Sequence, residues 1–508
     1  MSENTRTQLA QLICFNPAGA TLTAEEEAFI AHNRVTSFVL FARNLPDISA
    51  AQRLIDRLLT LVGDPLIAVD QEGGRVTRLP SPATHFPSAM ALGNTGSPDL
   101  ARRAGQATAR ELRALRLNVA LAPVMDVNSN PQNPVIGTRA FGDSPDTVSP
   151  MGVAWLLGVQ GEGVAACAKH FPGHGDTHVD SHHGLPRIDT PRAALDRFEL
   201  APFRDAIAAG VEMVMPGHLL LSDLDDTRPA SLSRRLITGL LRTEMGFGGV
   251  IISDALDMDA VALEYGIPGA AVEAALAGCD LVCPIVQHAE TLNALEQALN
   301  DGRLTLLQVS ESIRRTRRLR ERVAALPPPD AAWLGAPAHR VVAREIARRA
   351  IRVADADGFL PQPDLSGWLA VEFALGKVTI AEGRPSGTGK LINGLRDRIP
   401  SFAGITLSFN PIERDVLEVC QQAENARGLI IATRQALHFP SQRELVRRCC
   451  ALGKPTVIIA LRDPYDLTLF SDARCTIATF DDSPIMIGEL LNILTRTAQH
   501  LDASHKLK

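Results

Sequence analysis

The densest run of titratable side chains lies at residues 169–183, which read KHFPGHGDTHVDSHH and hold five histidines, two aspartates and a lysine. An apolar run at residues 164–167 precedes it, and Pro172, Gly173 and Gly175 interrupt it. This pattern predicts the end of a buried strand that opens into a long irregular loop. Because a rigid strand positions the loop that follows it, such places are favoured by catalytic residues.

One interpretation of this loop is a metal site. His170, His174, His178 and His182 recur every fourth residue, a spacing that would align them on one face of a helix and suit Zn²⁺. Pro172 and the glycines break that helix, and no HExxH pattern is present. We therefore predict no metal and no other cofactor, and a metal-dependent hydrolase is a remote alternative.

A second interpretation makes the histidines structural hydrogen-bonding residues of the loop, which is our expectation for His174, His178 and His183. A third pairs Asp180 with His182. In such a pair the carboxylate fixes the tautomer and orientation of the imidazole and stabilises its charged form, and an imidazole with a pKa near neutrality donates and accepts protons well. The third interpretation predicts proton transfer at the far end of the loop.

Carboxylates also follow two other apolar runs. Asp254, in GVIISDALDMDA, stands between a predicted strand and a predicted helix, where it either faces a barrel mouth or caps the helix. Asp70, in AVDQEGGRV, precedes a Gly-Gly pair that permits close backbone approach, so it suits either sugar hydroxyls or a turn. Arg139, in IGTRAFG, is a candidate clamp for a hydroxyl or a carboxylate or a structural arginine, while Arg75 is a candidate partner of Glu72.

The elements that position these residues alternate between short apolar runs and helical patterns. Such alternation predicts parallel strands joined by helical crossovers and a (β/α)8 barrel over residues 1–330, in which the carboxyl ends of the strands meet at one mouth. The predicted strands are residues 37–41, 66–70, 119–123, 165–170, 211–218, 249–254 and 279–284.

A proline run at 327–329 ends this pattern. We predict a linker helix over residues 331–350 and then a smaller α/β domain over 351–508 with a mainly parallel sheet. Its predicted strands are residues 367–374, 404–409, 428–432, 455–461 and 475–480. The glycine-rich stretch 383–390 is not a phosphate loop, since Leu391 stands where a Ser or Thr must hold Mg²⁺.

Composition excludes several classes of protein. The 508 residues are 45% hydrophobic and 21% charged, as in ordinary globular proteins, and the net charge of -6 supplies no field for nucleic acid or an anionic membrane. The basic run 314–322 is predicted to be a solvated helix face. Eight scattered cysteines form no disulfide framework, and neither a secretory signal nor a bilayer-long apolar run is seen. We expect a cytoplasmic protein.

The segments VDQEGGRV, GTRAFG, KHFPGHGDT followed by DSH, and IISDALDM, in this order, resemble the glycoside hydrolase family 3 β-N-acetylglucosaminidases of bacterial cell-wall recycling. The resemblance implies a (β/α)8 barrel and a retaining mechanism, with Asp254 as nucleophile and His182 with Asp180 as the acid/base pair. The residues implied to hold the N-acetylglucosamine ring are Asp70, Arg139, Lys169 and His170.

The rest of the chain adds limits to this resemblance. The C-terminal half looks like the α/β domain of two-domain members, and we expect it only to pack against the barrel. His218, in MVMPGHL, departs from the family pattern and is not assigned as a contact. With 3 Trp and 2 Tyr the chain has few rings to line a polysaccharide cleft, so a small glycoside such as a muropeptide or a chitobiose-like fragment is the expected substrate.

Three alternatives remain open at this point. Because a histidine base repels an anion less than a carboxylate does, phosphate could replace water as the acceptor, giving a phosphorylase. A broader family 3 β-glycosidase is a second alternative. A non-catalytic sugar-binding protein would keep Asp70, Arg139 and Lys169 without needing a nucleophile. The sequence leaves the oligomeric state undetermined.

Overall fold

Eight parallel strands form the N-terminal sheet of the computed structural model, which describes residues 3–181, 184–325, 330–356, 358–360, 362, 364–374 and 389–495. Each strand pairs with the next along the chain, and the last pairs with the first through a parallel bridge between Ile13 and Val282. The sheet is thus closed, and the predicted (β/α)8 barrel is confirmed. Its strands are β1 (Cys14–Phe15), β2 (Ser37–Leu40), β3 (Leu66–Val69), β4 (Val119–Ala120), β5 (Ala165–Phe171), β6 (Met213–Pro216), β7 (Val250–Ala255) and β8 (Leu281–Cys283).

Helices connect these strands on the outside of the barrel. Several begin at side chains that cap the first free amides, among them Thr23 with Glu26, Asp47 and Ser97. A short two-stranded ribbon, Arg187–Ile188 with Leu220–Leu221, lies beside the barrel. The helices are Glu3–Ala10, Ala24–Asn33, Ile48–Val62, Ala89–Asn94, Pro98–Ala114, Pro145–Gly161, Arg192–Arg197, Ala201–Ala208, the π-helix Arg235–Glu244, Asp259–Tyr265, Ile267–Ala277, His288–Asn300 and Leu306–Ala324.

The basic run 314–322 closes the amino-terminal end of the barrel. It lies in the helix Leu306–Ala324, whose Leu319 is buried with the apolar side chains of the barrel interior. Arg315 pairs with Asp280 at 2.9 Å, just before β8, and Arg320 donates to the Asp64 carbonyl at 2.7 Å, just before β3. The run was predicted to be a solvated helix face. Two of its arginines, Arg315 and Arg320, instead bind residues next to the barrel strands.

The second domain contains a six-stranded sheet. Five strands are parallel, as predicted, and an antiparallel edge strand was not predicted. In spatial order the strands are β9 (Arg352–Asp355), β14 (Cys475–Ala478), β13 (Thr456–Ala460), β12 (Gly428–Thr433), β10 (Trp368–Phe373) and β11 (Ala403–Leu407). The helices of this domain are Lys390–Arg398, Glu413–Glu424, Pro440–Ala451, the 3₁₀ helix Pro464–Phe470 and Pro484–Thr495.

The two domains are joined by the helix Pro337–Ala350 and by direct hydrogen bonds. The joining helix is itself held to the barrel, since its His339 Nδ1 lies 2.8 Å from a carboxylate oxygen of Glu111. At the far side of the junction, Asp481 accepts the backbone N–H of Ser88 at 2.6 Å. The second domain is therefore attached to the barrel at more than one place. The prolines at 327–329 and most of the glycine-rich stretch 383–390 lie outside the described residues.

Within the described part of the chain, no single helix has both the length and the apolar character needed to cross a bilayer. The helices Asp259–Tyr265 and Ile267–Ala277 reach that length and apolar character only when they are counted together, and they are bent by 102° relative to each other.

Candidate active site

A cavity of about 420 Å³ opens where the carboxyl ends of the barrel strands meet. Its charged wall is built from residues that are distant in sequence and that follow or end strands β2, β3, β4, β5 and β7. Of the residues predicted from sequence, five line it: Asp70, Arg139, Lys169, His170 and Asp254. The fold thus brings together the two sides of the predicted site, namely the nucleophile and the sugar-binding residues.

Asp254 is the penultimate residue of β7. The helix that follows begins at Asp259 and is preceded by Met258, so Asp254 does not cap it. One carboxylate oxygen accepts the backbone N–H of Ala255 at 2.8 Å, and the side chain is half-buried in the cavity wall. Of the two interpretations of Asp254, the position at the barrel mouth is the one that the structure shows.

Asp70, Glu72, Lys169 and Arg139 form one buried network across the cavity floor. Lys169 Nζ lies 2.7 Å from an oxygen of Asp70 and 2.7 Å from an oxygen of Glu72. Arg139 binds both oxygens of Glu72 through Nε and Nη2, each at 2.8 Å. Arg78, whose side chain is also buried, lies 3.6 Å from Asp70. The cations and carboxylates therefore hold one another in fixed positions before any ligand enters.

The charges in this network set the protonation of its members. Burial alone would raise the pKa of Asp70 and Glu72, but the cations beside them outweigh it and both pKa values lie below their usual range. Burial would likewise lower the pKa of Lys169, yet Asp70 and Glu72 raise it. At neutral pH Lys169 is thus an ammonium that points its donors at two carboxylates and lines the cavity.

The sequence suggested that Arg75 pairs with Glu72, but the structure gives Arg75 other partners. Its Nη2 donates to the carbonyl oxygens of Val135 and Ile136, each at 2.8 Å. Glu72 is taken instead by Arg139, which is brought from a distant segment of the chain. Arg139 therefore has an internal carboxylate partner, and its guanidinium still lines the cavity.

His170 is held by Asp126, a residue that the sequence did not single out. His170 Nδ1 donates to one Asp126 oxygen at 2.7 Å, and the other oxygen accepts the backbone N–H groups of His170 and His174. This leaves His170 Nε2 as the acceptor that faces Arg139 Nη2 at 3.3 Å. The carboxylate thus fixes the orientation of the imidazole at the cavity wall.

His174 lines the cavity and is hydrogen-bonded within its own loop. Its Nδ1 lies 2.8 Å from Thr177 Oγ1 and its Nε2 lies 3.1 Å from Ser181 Oγ. Burial, reinforced by the neighbouring His170, lowers the pKa of His174 to about 4, so this imidazole is neutral at neutral pH. Both ring nitrogens are committed to the loop. Among the described residues, no three His, Cys, Asp or Glu side chains are placed to hold a metal ion.

The proton-transfer pair is described only in part. Asp180 is buried, with 6% of its surface exposed, and Ser181 lines the cavity. His182 and His183 lie outside the described residues, so the role of His182 stays a prediction. Ser181 immediately precedes His182 in the chain, so the described part of the loop reaches the cavity one residue before His182.

Two asparagines hold the preceding part of this loop. Asn133 Nδ2 donates to the carbonyls of His174 and Gly175 at 2.8 and 3.0 Å, while its oxygen accepts the amides of Val135 and Ile136. Asn130 Nδ2 donates to the Thr177 carbonyl at 3.0 Å. The segment 126–139 is therefore a frame that fixes the loop on one side and carries Arg139 on the other.

His218 lies behind the wall of the site. It is fully buried, with Nδ1 2.6 Å from Ser231 Oγ and Nε2 2.9 Å from the carbonyl oxygen of Ala255. It does not line the cavity. Its contact with the residue after Asp254 gives it a role in fixing the end of β7.

A closed barrel with an aspartate at the end of β7 and a charged cavity at its mouth places these residues where (β/α)8-barrel enzymes have their active sites. Residues 4–319 match the family model described as Glycosyl hydrolase family 3 N terminal domain. The match covers more than half of the chain, and the protein belongs to glycoside hydrolase family 3. The family predicted from the sequence motifs is confirmed.

Two curated relatives are β-hexosaminidases. Beta-hexosaminidase A of Pseudoalteromonas piscicida is 36% identical over 384 residues, which is 68% of this chain and 64% of that protein. The chain thus spans a little under two thirds of the length of that relative. Beta-hexosaminidase of Tolumonas auensis is 36% identical over 286 residues, which is 56% of this chain and 85% of that protein.

A solved structure extends the likeness to both domains. The glycoside hydrolase family 3 β-N-acetylglucosaminidase from Paenibacillus sp. str. FPU-7 superimposes with a TM-score of 0.89 at 30% identity, over 99% of this chain and 98% of that one. The second domain is therefore part of an architecture that the Paenibacillus enzyme shares.

Proposed function

We propose that this protein is a retaining exo-β-N-acetylglucosaminidase that removes terminal N-acetylglucosamine from small glycosides such as muropeptides. The observation that carries the proposal is that Asp254 shares one cavity with the Lys169–Asp70–Glu72–Arg139 network. A volume of about 420 Å³ stands at the small end of ligand pockets, which suits a short substrate. The names of the relatives and of the Paenibacillus structure support the choice of sugar.

In the proposed first step, an Asp254 carboxylate oxygen attacks the anomeric carbon while the bond to the leaving oxygen breaks. His182, as imidazolium, gives its proton to that oxygen, and Asp180 stabilises the charged ring. In the second step neutral His182 takes a proton from water, whose oxygen attacks the anomeric carbon and releases Asp254. The sugar departs with retained configuration, and both residues return to their starting states.

The network opposite Asp254 is proposed to hold the sugar. Lys169 supplies an ammonium donor, Asp70 an acceptor for hydroxyl groups, and His170 and Arg139 complete the wall. Because these groups are already fixed by one another and by Asp126, little ordering is required when the sugar binds.

A covalent trap tests the proposal. The enzyme is incubated with a 5-fluoro glycosyl fluoride of the N-acetylglucosamine series, digested and analysed by mass spectrometry. We expect one adduct on the peptide that contains Asp254, and its absence in Asp254→Asn. An adduct on another residue would reject the assigned nucleophile, while turnover without any covalent species would reject the retaining mechanism.

We further propose a cytoplasmic location. All eight cysteines are free thiols, which suits a reducing compartment. Alkylation of thiols in freshly lysed cells of the source organism, followed by fractionation, tests this: the location is rejected if the protein is recovered outside the cytoplasmic fraction.

A further inference from the structure

The second domain contributes none of the residues that line the described cavity, all of which lie between positions 39 and 285. It nevertheless touches the frame that holds the site. The hydroxyl of Tyr465, in the second domain, accepts a hydrogen bond from Asn128 Nδ2 at 3.0 Å. Asn128 is fully buried in the segment 126–139.

Asn128 passes this contact to the segment that carries Arg139. Its side-chain oxygen accepts the backbone N–H of Gly137 at 3.0 Å. Gly137 begins the 3₁₀ turn Gly137–Arg139, from which the Arg139 guanidinium extends to Glu72. One amide side chain thus stands between the second domain and the cavity network.

The same turn meets the second domain at another point. Gly137 has a φ of +46°, and a Cβ added there would lie 3.1 Å from an oxygen of Asp463. Because residue 137 is a glycine, the Asp463 carboxylate can approach its backbone closely. Two neighbouring residues of the second domain, Asp463 and Tyr465, bracket the start of the turn.

The other side of Asn128 faces the histidine loop. A Cβ added to Gly175 would lie 1.5 Å from the Val127 carbonyl oxygen and 3.1 Å from the Asn128 amide nitrogen. The backbone of the loop is thus packed directly on the backbone of residues 127 and 128. A displacement of Asn128 would therefore move both the Gly137–Arg139 turn and this loop.

We propose that Tyr465 is a positioning residue of the second domain, which acts through Asn128 to hold the Gly137–Arg139 turn in register with the sugar-binding network. The domain then sets the geometry of the site in addition to packing against the barrel. Since Arg139, Glu72 and Lys169 stand on the sugar-binding side of the cavity, the contact acts mainly on substrate affinity.

The test is a double-substitution cycle with Tyr465→Phe, Asn128→Ala and the two combined, assayed on an aryl β-N-acetylglucosaminide. Tyr465→Phe keeps the ring and removes only the hydroxyl. We expect KM to rise by about three- to tenfold, as for the loss of one neutral hydrogen bond, with kcat within about twofold of the original. Because Tyr465 acts through Asn128, the combined variant has the KM of Asn128→Ala alone.

Thr468→Val is the matched control. Its exposed hydroxyl donates to the carbonyl of Tyr465 in the same turn, so KM is expected to be unchanged. An unchanged KM in Tyr465→Phe, or effects of the two substitutions that multiply, would overturn the proposal.

This kinetic test rests on the proposed function, because that function supplies its substrate. Amide hydrogen exchange needs no substrate and therefore tests the role of Tyr465 independently of the proposed function. We expect Tyr465→Phe to speed exchange in peptides that cover residues 126–139, and Thr468→Val to leave it unchanged. If the unsubstituted enzyme does not cleave the glycoside, the proposed function fails and the exchange result alone decides the inference. Equal exchange in Tyr465→Phe and the unsubstituted protein would reject it.

Discussion

Lys169 Nζ lies at the same distance, 2.7 Å, from Asp70 on one side and from Glu72 on the other. The ammonium is therefore held by two carboxylates, and Glu72 is in turn held by Arg139. Removing any member leaves an uncompensated charge in a site with little access to water. The network behaves as a unit, and its inner residue, Glu72, is the most informative one to change.

Glu72→Gln should destabilise the fold and weaken substrate binding together. Lys169 and Arg139 would lose a shared buried partner, and breaking a buried pair of this kind costs about 3–5 kcal/mol. We expect a lower free energy of unfolding in urea titrations and a higher KM.

Glu27→Gln is the control for that prediction. Glu27 pairs with Arg57 on the surface, at 2.6 Å, where solvent screens the pair. Its unfolding curve and KM should match those of the unsubstituted enzyme. Equal stability of Glu72→Gln and Glu27→Gln would show that the buried network contributes nothing beyond a surface pair.

Asp126→Asn should lower kcat/KM by about ten- to a hundredfold, because the amide can present an N–H group to the N–H of His170 Nδ1. The imidazole would then change tautomer or turn away from Arg139. Steady-state kinetics measure the loss, and NMR of the histidine ring nitrogens reports the tautomer. An unchanged tautomer with full activity would contradict the assigned role of Asp126.

The barrel was predictable because seven of its strands lie within apolar runs of the sequence that end at turn signals, and each of the seven was predicted. Strand β1 was missed, since Cys14–Phe15 is too short to show a period and is defined only by pairing with β2 and by the closing bridge at Ile13. The edge strand β9 was missed for a related reason. Its four residues are all half-buried and follow no apolar run.

Within the site, residues at strand ends could be chosen from sequence, whereas their partners could not. Glu72 stands beside Asp70 in the sequence, and nearness in the chain favoured Arg75 as its partner. The barrel instead delivers Arg139 from the following crossover. Asp126 follows the two-residue strand β4, so the sequence carries the strand-end signal only weakly there. Pairings of this type depend on which crossovers lie next to each other in space.

Glu199 should make the stability of the protein depend on pH. Burial, with a smaller contribution from Asp176, raises the pKa of this carboxyl to about 7. The folded protein therefore keeps the proton between about pH 4.5 and pH 7, where the unfolded chain has lost it. Stability contributed by the protonated group is present at low pH and is lost as pH rises through this window.

Glu199→Gln removes that dependence. We expect the variant to be more stable than the unsubstituted protein by about 1–3 kcal/mol at pH 8, and equally stable near pH 4. Urea titrations across the pH range measure the difference. A constant difference at all pH values would show that the pKa of Glu199 does not change on folding.

Water, and not phosphate, should be the main acceptor. The side chains that line the cavity include five carboxylates against four cationic groups, and the cations nearest the floor are already paired. An added dianion would thus meet little uncompensated positive charge. With the enzyme in phosphate buffer, we expect free N-acetylglucosamine as the product. Accumulation of the sugar 1-phosphate would assign the protein to the phosphorylases instead.

His182 is the proposed proton donor to the leaving oxygen. If it protonates the leaving oxygen, His182→Ala should lower kcat/KM by about 10²–10⁴-fold for an alkyl glycoside, whose leaving group needs the proton. A dinitrophenyl glycoside departs without protonation, so its kcat/KM should fall far less. His178→Ala is the control, because His178 is exposed in the same loop. We expect this variant to keep the kcat/KM of the unsubstituted enzyme for both substrates.

Asp180→Asn distinguishes proton transfer from a merely structural loop. Loss of the carboxylate removes the charge that stabilises the imidazolium, so the pKa of His182 should fall. The acid form would then be lost at lower pH, and the alkaline limb of the kcat/KM profile should shift downward for the alkyl glycoside. Equal losses for the alkyl and dinitrophenyl substrates in His182→Ala, together with an unshifted limb in Asp180→Asn, would remove this pair from the mechanism and require another proton donor near Asp254.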